Sequence, residues 1–355
     1  MVCYRLRKWV HKTSIMVGMG FDSRSDFRKL RTCLPILLCL LIISLPYPAK
    51  SQSEGPLRAP AKTESRKAST TEEHRTSLKV NVNVVLVPVV VTDAANHTIT
   101  DLGNRNFELY EDGQQQEIQY FSAEDAPISV GLLLDLSKSM TNKFDAEREA
   151  VSEFFKNANS HDDYFVIAFS THPQLLADTT QSIGTIQEKL RAEIPNGSTA
   201  LLDAISLAMT RMHSANYKRR ALLIVSDGGD NNSHYKYREI IRLVRDSDVQ
   251  VYAIGLFDTA FFKTFEEFMG KKWLSEITDA TGGRTVTINN VAKMPEAAAA
   301  ISNELRNQYV LGYRPTHAAS DGKRRQIKVR VINSPPKVEQ LQANYKRGYV
   351  IPKLE

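Results

Sequence analysis

Three oxygen-bearing side chains stand at every second position immediately after an apolar run. Asp135, Ser137 and Ser139 follow residues 128–134, which include no charged side chain. A carboxylate and two hydroxyls are hard ligands, which suit Mg²⁺, Mn²⁺ or Ca²⁺ rather than Zn²⁺. The same residue types cap helices and build turns, so the triplet alone is also compatible with a purely structural role.

Further oxygen ligands follow two other segments of the chain. The apolar run 221–225 leads into an acidic loop, and another loop opens a helix near residue 199. Such runs are typical of buried parallel strands, and open α/β sheets bind ligands at the carboxyl ends of their strands. The convergence of three loops at one edge favours a binding site over capping alone. We therefore expect one divalent cation to collect oxygens from Asp135, Ser137, Ser139, Thr199 and Asp227.

Strand and helix patterns alternate from residue 128 onward. This alternation predicts an α/β fold with a doubly wound, mostly parallel sheet covered by helices on both faces. The segment 174–179 is expected to be a short antiparallel edge strand. Helices are predicted over 146–155, 183–194, 200–212, 237–245, 272–280 and 297–306, and the other strands over 164–170, 221–225, 249–256 and 284–288.

Short β-strand patterns flank this α/β region on both sides. Each group of strands is too small to bury a core alone. We therefore expect segments 77–125 and 309–355 to combine into one small β-sandwich-like domain, with the α/β domain of residues 126–308 inserted between its halves. The predicted flanking strands are 84–91, 107–110, 116–121, 309–313, 326–332 and 346–350.

The amino end carries a pattern typical of export. A basic flank precedes the apolar run 34–45, and Ala49-Lys50-Ser51 offers small residues at a cleavage site. We expect residues 1–51 to be a signal peptide and the product to be periplasmic, secreted or envelope-associated. An uncleaved amino-terminal anchor is the alternative. Residues 52–76 are polar and are predicted to be a disordered linker.

The basic balance of the whole chain comes from this leader. Of 46 Lys and Arg against 40 Asp and Glu, nine basic and two acidic residues lie in residues 1–51, which leaves a net charge near −1 for the remainder. The charge pattern therefore does not indicate nucleic-acid binding. All three cysteines also lie in the leader, so the remaining sequence offers neither a disulfide framework nor a thiolate metal site.

The predicted metal ligands resemble the metal-ion-dependent adhesion site of von Willebrand factor type A domains. The matching features are Asp135-x-Ser137-x-Ser139, Thr199 in a Gly-Ser-Thr-Ala-Leu-Leu-Asp context, and Ser226-Asp227-Gly228. The resemblance covers roughly residues 127–310 and implies a Rossmann-like fold. It also implies that the two serines and the threonine reach the ion directly or through water, while the aspartates act largely through water.

The flanks resemble a subgroup described from acidobacteria as von Willebrand factor A-related proteins. Its marks here are residues 90–93, 106–113, 308–313 and 347–349. Lys138 stands where the family often has Gly, and this cation either weakens ion affinity or points outward to pair with an acidic ligand. Asp230, Asn231 and Ser233 fit the loop pattern of the subgroup, and helix capping explains them equally well.

The chemistry of such a site favours binding over catalysis. If neutral hydroxyls and water are the direct ligands, the ion keeps positive charge and an open position that an Asp or Glu of a protein partner can fill. His161, His172 and His234 lack metal-ligand spacing, and the sequence has no Gly-x-Ser-x-Gly turn. We expect a non-enzymatic, exported adhesion or scaffolding module. A divalent-metal-dependent hydrolase of an anionic substrate and an accessory factor of an envelope complex are the alternatives.

Overall fold

The computed structural model of the protein describes residues 84–257, 265–316, 322–332 and 341–350. The predicted signal peptide and linker lie outside the described residues. The strands are β1 (Val85–Thr92), β2 (Phe107–Glu111), β3 (Gln114–Gln116), β4 (Tyr120–Ser122), β5 (Ser129–Asp135), β6 (Asp163–Phe169), β7 (Pro173–Thr180), β8 (Arg220–Ser226), β9 (Gln250–Leu256), β10 (Thr285–Ile288), β11 (Tyr309–Tyr313), β12 (Arg324–Val331), β13 (Gln342–Tyr345) and β14 (Gly348–Val350). The helices are α1 (Phe144–Lys156), α2 (Ile183–Arg191), α3 (Leu201–Met212), α4 (Tyr237–Asp246), α5 (Phe265–Thr281) and α6 (Met294–Arg306). Among the described residues, none of the helices combines the length and apolar character that a membrane crossing requires.

Six strands form the central sheet in the order β10-β9-β8-β5-β6-β7. Neighbouring strands are parallel except for β6 and β7, which pair antiparallel. β5, the apolar run that leads to Asp135, lies between β8 and β6, and all of its residues are buried. The predicted doubly wound, mostly parallel sheet is confirmed, including its antiparallel edge strand.

Helices cover both faces of this sheet because alternate strand residues point to opposite sides. Leu132 and Leu134 of β5 belong to the core that α1, α2 and α6 cover, whereas Leu133 belongs to the core beneath α3, α4 and α5. The helices that directly follow β5 and β8, α1 and α4, therefore lie on opposite faces. The loops after these two neighbouring strands diverge and leave a crevice, which is where open α/β sheets bind ligands.

The flanking strands form two four-stranded sheets, β13-β1-β11-β4 and β14-β12-β2-β3. Strands from before the α/β region pair with strands from after it, since β1 lies between β13 and β11 and β2 pairs with β12. Both sheets contribute to one core, in which the ring centroids of Phe107 and Tyr309 are 5.1 Å apart. The predicted β-sandwich-like domain is confirmed, while its boundaries at residues 125 and 309 stay predictions.

One predicted strand is wrong, because its segment is divided between the two sheets. The segment 116–121 ends β3, which pairs with β2, and begins β4, which pairs with β11. The predicted strand around 346–350 contains β14, whereas β13, which precedes it and lies in the other sheet, has no predicted counterpart. The chain crosses between the sheets within a few residues, and strands of three or four residues are too short to show a clear periodicity.

Candidate metal centre

Three loops at the carboxyl edge of the central sheet carry the five predicted ligands. In the loop after β5, the Leu136 carbonyl accepts the Asn196 N–H (2.8 Å) and the Lys138 N–H donates to the Gly197 carbonyl (3.0 Å). In the loop after β8, the Asn231 N–H donates to the carbonyl of Thr199, the predicted ligand before α3 (3.0 Å). These backbone hydrogen bonds join the three loops beside the crevice between β5 and β8.

Asp135, the last residue of β5, is buried at the base of the site. Its Oδ1 accepts the Ser137 N–H (3.0 Å), and its Oδ2 accepts the Ser226 hydroxyl (2.6 Å). Burial, and then the neighbouring Asp227 carboxylate, raise the pKa of Asp135 to about 6. Each carboxylate oxygen has a further lone pair, so Asp135 retains the capacity to accept a hydrogen bond from a metal-bound water.

The two predicted serine ligands lie side by side. The hydroxyls of Ser137 and Ser139 are hydrogen-bonded to each other, with their oxygens 3.0 Å apart, and Ser137 is buried whereas Ser139 is exposed. Adjacent oxygens around an octahedral Mg²⁺, each at about 2.0–2.1 Å from the ion, are about 2.9 Å apart, so this spacing fits one shared ion. Thr199 is buried, and both its amide and its carbonyl are bonded to Asn231, which fixes its backbone before α3.

Asp227 follows β8 and is partly buried. Its Oδ2 accepts a hydrogen bond from the Lys143 Nζ (3.1 Å), which reaches it from the start of α1. Lys138, the cation that the sequence singles out, has an exposed side chain. Gly228 has a left-handed φ of 78°, and a Cβ on Gly270 of α5 would lie 1.8 Å from the Gly228 carbonyl oxygen. This close packing of two glycines fixes the loop that carries Asp227.

The amino-acid sequence around these loops matches a known family. Residues 130–229, which include all five predicted ligands, match the model of the von Willebrand factor type A domain. The chain contains a von Willebrand factor type A domain. This match supports a protein-interaction module, and assignment to the acidobacterial subgroup stays a prediction.

Relatives of the chain share limited sequence identity with it. An uncharacterised protein of Borreliella burgdorferi is 23% identical over 189 residues, which cover 46% of this chain and 55% of that protein, so the match spans about half of its length. Among solved structures, an aerotolerance-related membrane protein from Bacteroides fragilis is 20% identical, with a TM-score of 0.42 and coverage of 50% of this chain and 98% of the other. A von Willebrand factor type A protein from Catenulispora acidiphila is 12% identical, with a TM-score of 0.44 and coverage of 76% and 72%.

The oxygen donors of the von Willebrand factor A domain fit a hard divalent cation. Two carboxylates and three hydroxyls suit Mg²⁺, Mn²⁺ or Ca²⁺. Within the described part of the chain, no three His, Cys, Asp or Glu side chains are placed together to hold a metal ion. A site that relies on hydroxyls does not require such a group. The geometric feature that agrees best with one shared ion is the 3.0 Å spacing of the Ser137 and Ser139 hydroxyls.

The loop after Asp227 caps the start of α3 and makes one contact that positions Thr199. Asp230 Oδ1 accepts the Ser233 hydroxyl (2.6 Å) and the N–H of Leu202 in the first turn of α3 (3.5 Å). Helix capping therefore accounts for both residues of the loop. Asn231, by contrast, accepts the Thr199 N–H (2.9 Å) and so positions a predicted ligand.

Three residues at the site received no role from the sequence. The Ser226 hydroxyl donates to the Asp135 carboxylate, and Lys143 contacts Asp227. Glu147 is buried on α1, and the charge of Asp135 raises its pKa. The partners of a carboxylate depend on tertiary packing, so the first two contacts leave no trace in a local pattern. The position of Glu147 could have been noticed in the sequence, because its helical spacing places an acidic residue on the apolar face of α1.

Proposed function

We propose that the chain is an exported, metal-dependent protein-binding module that serves adhesion or scaffolding at the cell envelope. A divalent cation, with Mg²⁺ as the first candidate, would be held by Ser137, Ser139 and Thr199, with Asp135 and Asp227 acting mainly through water. Its open position would capture an Asp or Glu side chain of a protein partner. The observation that carries this proposal is the pair of serine hydroxyls 3.0 Å apart beside the buried Asp135.

The donor set explains why such a site attracts a carboxylate. Hydroxyl ligands are neutral and do not reduce the charge of the ion, whereas direct carboxylate ligands would. When bound, the ion supplies a concentrated positive charge, and a partner's carboxylate can coordinate to the ion. The chain itself orients the hydroxyls, because the Ser137 N–H donates to Asp135 and the Thr199 N–H to Asn231.

Binding is preferred over hydrolysis because the polar groups around the predicted ligands serve the loop architecture. His234, whose loop lies at the same edge, is 80% exposed and its Nδ1 is 2.8 Å from Asp203 Oδ2. Asp230 caps α3. A metal-dependent hydrolase requires an acid or base aimed at the reacting water, and these residues are directed to backbone or loop partners. The exported location rests on the leader pattern of residues 1–51.

Melting experiments on the purified protein test the cation site first. Binding stabilises the folded protein by RT ln(1 + [L]/Kd), about 2.7 kcal/mol at a hundredfold excess over Kd. Mg²⁺ or Mn²⁺ should therefore raise the melting temperature of the wild type and of the control Asp145→Ala, whose aspartate on α1 is 90% exposed. The same ions should leave the melting temperature of Asp135→Ala unchanged.

Capture from an envelope extract then tests the partner. Proteins retained by the immobilised wild type in Mg²⁺ should be released by EDTA and should not bind Asp135→Ala. A partner that remains bound in EDTA and also binds Asp135→Ala would show that the metal edge is not the recognition surface, and the proposed function would be wrong.

A further inference from the structure

Glu147 is a buried acidic residue that is not one of the five predicted ligands. It lies in the first turns of α1, and its side chain has no exposed surface. Neither carboxylate oxygen has a partner at normal hydrogen-bond geometry among the residues that the structure describes, although the Asp135 N–H lies close enough to lower the pKa of Glu147. Buried polar groups in folded proteins are almost always paired, so an unpaired carboxylate indicates a bound water or ion.

The surroundings of Glu147 are those of the predicted ligands. Burial raises its pKa well above the usual range, and the neighbouring Asp135 and Asp227 carboxylates raise it further. Lys143, the N-cap residue of α1, lowers the pKa of Glu147 and also contacts Asp227. Glu147 is thus coupled to both predicted acidic ligands and to the lysine between them.

A neutral carboxylic acid does not by itself account for this arrangement. Protonation removes the charge, but it adds an O–H donor that has no hydrogen-bond partner of normal geometry among the described residues. Burial of Asp135 and Glu147 beside the partly buried Asp227 is costly unless positive charge or ordered water compensates for it. A hydrated divalent cation supplies both.

We propose that Glu147 is a further acidic residue of the cation site and acts on the ion through a bound water molecule. It would accept a hydrogen bond from that water on the side of α1, while Asp135 does so from the end of β5. Direct ligation is not proposed, because no three acidic, His or Cys side chains among the described residues are placed to hold a metal together. The inference rests on the proposed cation site and makes Glu147 a positioning residue rather than a direct ligand.

Calorimetric titration with Mn²⁺ tests the role of Glu147. Loss of an outer partner of a metal ligand typically weakens metal affinity 10- to 100-fold. Glu147→Gln, which preserves the size of the side chain, should therefore raise the Kd for Mn²⁺ at least about tenfold. The matched control is Glu149→Gln, which removes the same charge from an exposed position on the same helix and should leave the Kd unchanged.

A second measurement separates this role from a structural one. In EDTA, Glu147→Gln should melt at or above the wild-type temperature, because an unpaired buried acid has been removed, and Mn²⁺ should raise its melting temperature less than that of the wild type. Glu147→Leu should show the same loss of Mn²⁺ affinity and serves if Glu147→Gln does not fold. Wild-type Mn²⁺ affinity in a folded variant at position 147 would overturn this inference and leave the cation site standing. If the wild type itself binds no Mn²⁺, the proposed function is wrong and this inference is wrong with it.

Discussion

Replacing Asp135 by Asn should stabilise the protein in EDTA and remove its affinity for divalent cations. Asp135 is fully buried, and burial followed by the Asp227 charge raises its pKa from 3.8 to about 6. One pH unit of difference between the folded and unfolded pKa is worth about 1.36 kcal/mol. Ionised Asp135 therefore costs the folded protein about 3 kcal/mol at pH 7.

The hydrogen bonds of Asp135 reduce the stability that the protein gains when Asp135 is replaced by Asn. An amide oxygen can still accept the Ser137 N–H, but the amide nitrogen cannot accept the Ser226 hydroxyl, which donates to Asp135 Oδ2 at 2.6 Å. Loss of one such bond costs about 1 kcal/mol. Asp135→Asn should therefore gain about 2 kcal/mol at pH 7, which corresponds to roughly 4–8 °C in melting temperature for a domain of this size.

Calorimetric melting in EDTA between pH 4 and pH 8 provides the assay. Because the folded pKa of Asp135 is the higher one, the folded wild type binds more protons than the unfolded chain between about pH 4 and pH 6. The wild type thus loses stability as the pH rises through this window, and the advantage of Asp135→Asn should grow from near zero at pH 4 to its full value at pH 7. Mg²⁺ should then raise the melting temperature of the wild type alone. A variant that melts below the wild type at pH 7, or by a margin that does not depend on pH, would refute the assignment of Asp135 as a strained buried acid.

Two other changes probe the neighbouring elements. Lys143→Met should tighten Mn²⁺ binding by up to about fivefold, because it removes a cation 3.1 Å from Asp227 Oδ2. The control Lys138→Met, at an exposed site on the loop after β5, should leave the Kd for Mn²⁺ unchanged. Weaker binding by Lys143→Met in calorimetry would mean that Lys143 holds Asp227 in place. Deletion of residues 309–355 removes β11 and β13, the two neighbours of β1, and should give an aggregated product in size-exclusion chromatography. A monomeric product would contradict the shared sandwich.

Much of the fold can be predicted from the sequence because its central strands are buried on both faces. β5 and β8 are continuous apolar runs for that reason, and the acidic residues that follow them mark the carboxyl edge. The crossing points between the two sandwich sheets are less predictable. β3 and β4 have three residues each and lie in different sheets, although the segment between Gln114 and Ser122 shows no break in its pattern.

The site can be predicted as a set of loops but not as a set of contacts. The spacing of Asp135, Ser137 and Ser139 places three oxygens after one strand, and the structure has two of the hydroxyls 3.0 Å apart. Lys138 is adjacent to the predicted serine ligands in the sequence, whereas the cation that contacts Asp227 is Lys143 at the start of α1. The first turn of α1 reaches the crevice only after the helix has packed on the sheet, so no local pattern identifies its side chains as neighbours of Asp227.

The charges that α1 brings to the crevice account for a lysine at a cation site. Asp135 and Asp227 alone would offer two negative charges, and the Lys143 ammonium on Asp227 reduces this sum to one. The buried Glu147 carboxylate, when ionised, restores the sum to two, which matches one divalent ion. The hydroxyls of Ser137 and Ser139 add no charge, so the solvent-facing side of the proposed ion would keep its attraction for a partner's carboxylate. In the proposed site the loops would supply the ligands, and the pair of Lys143 and Glu147 at the start of α1 would set how strongly the ion is held.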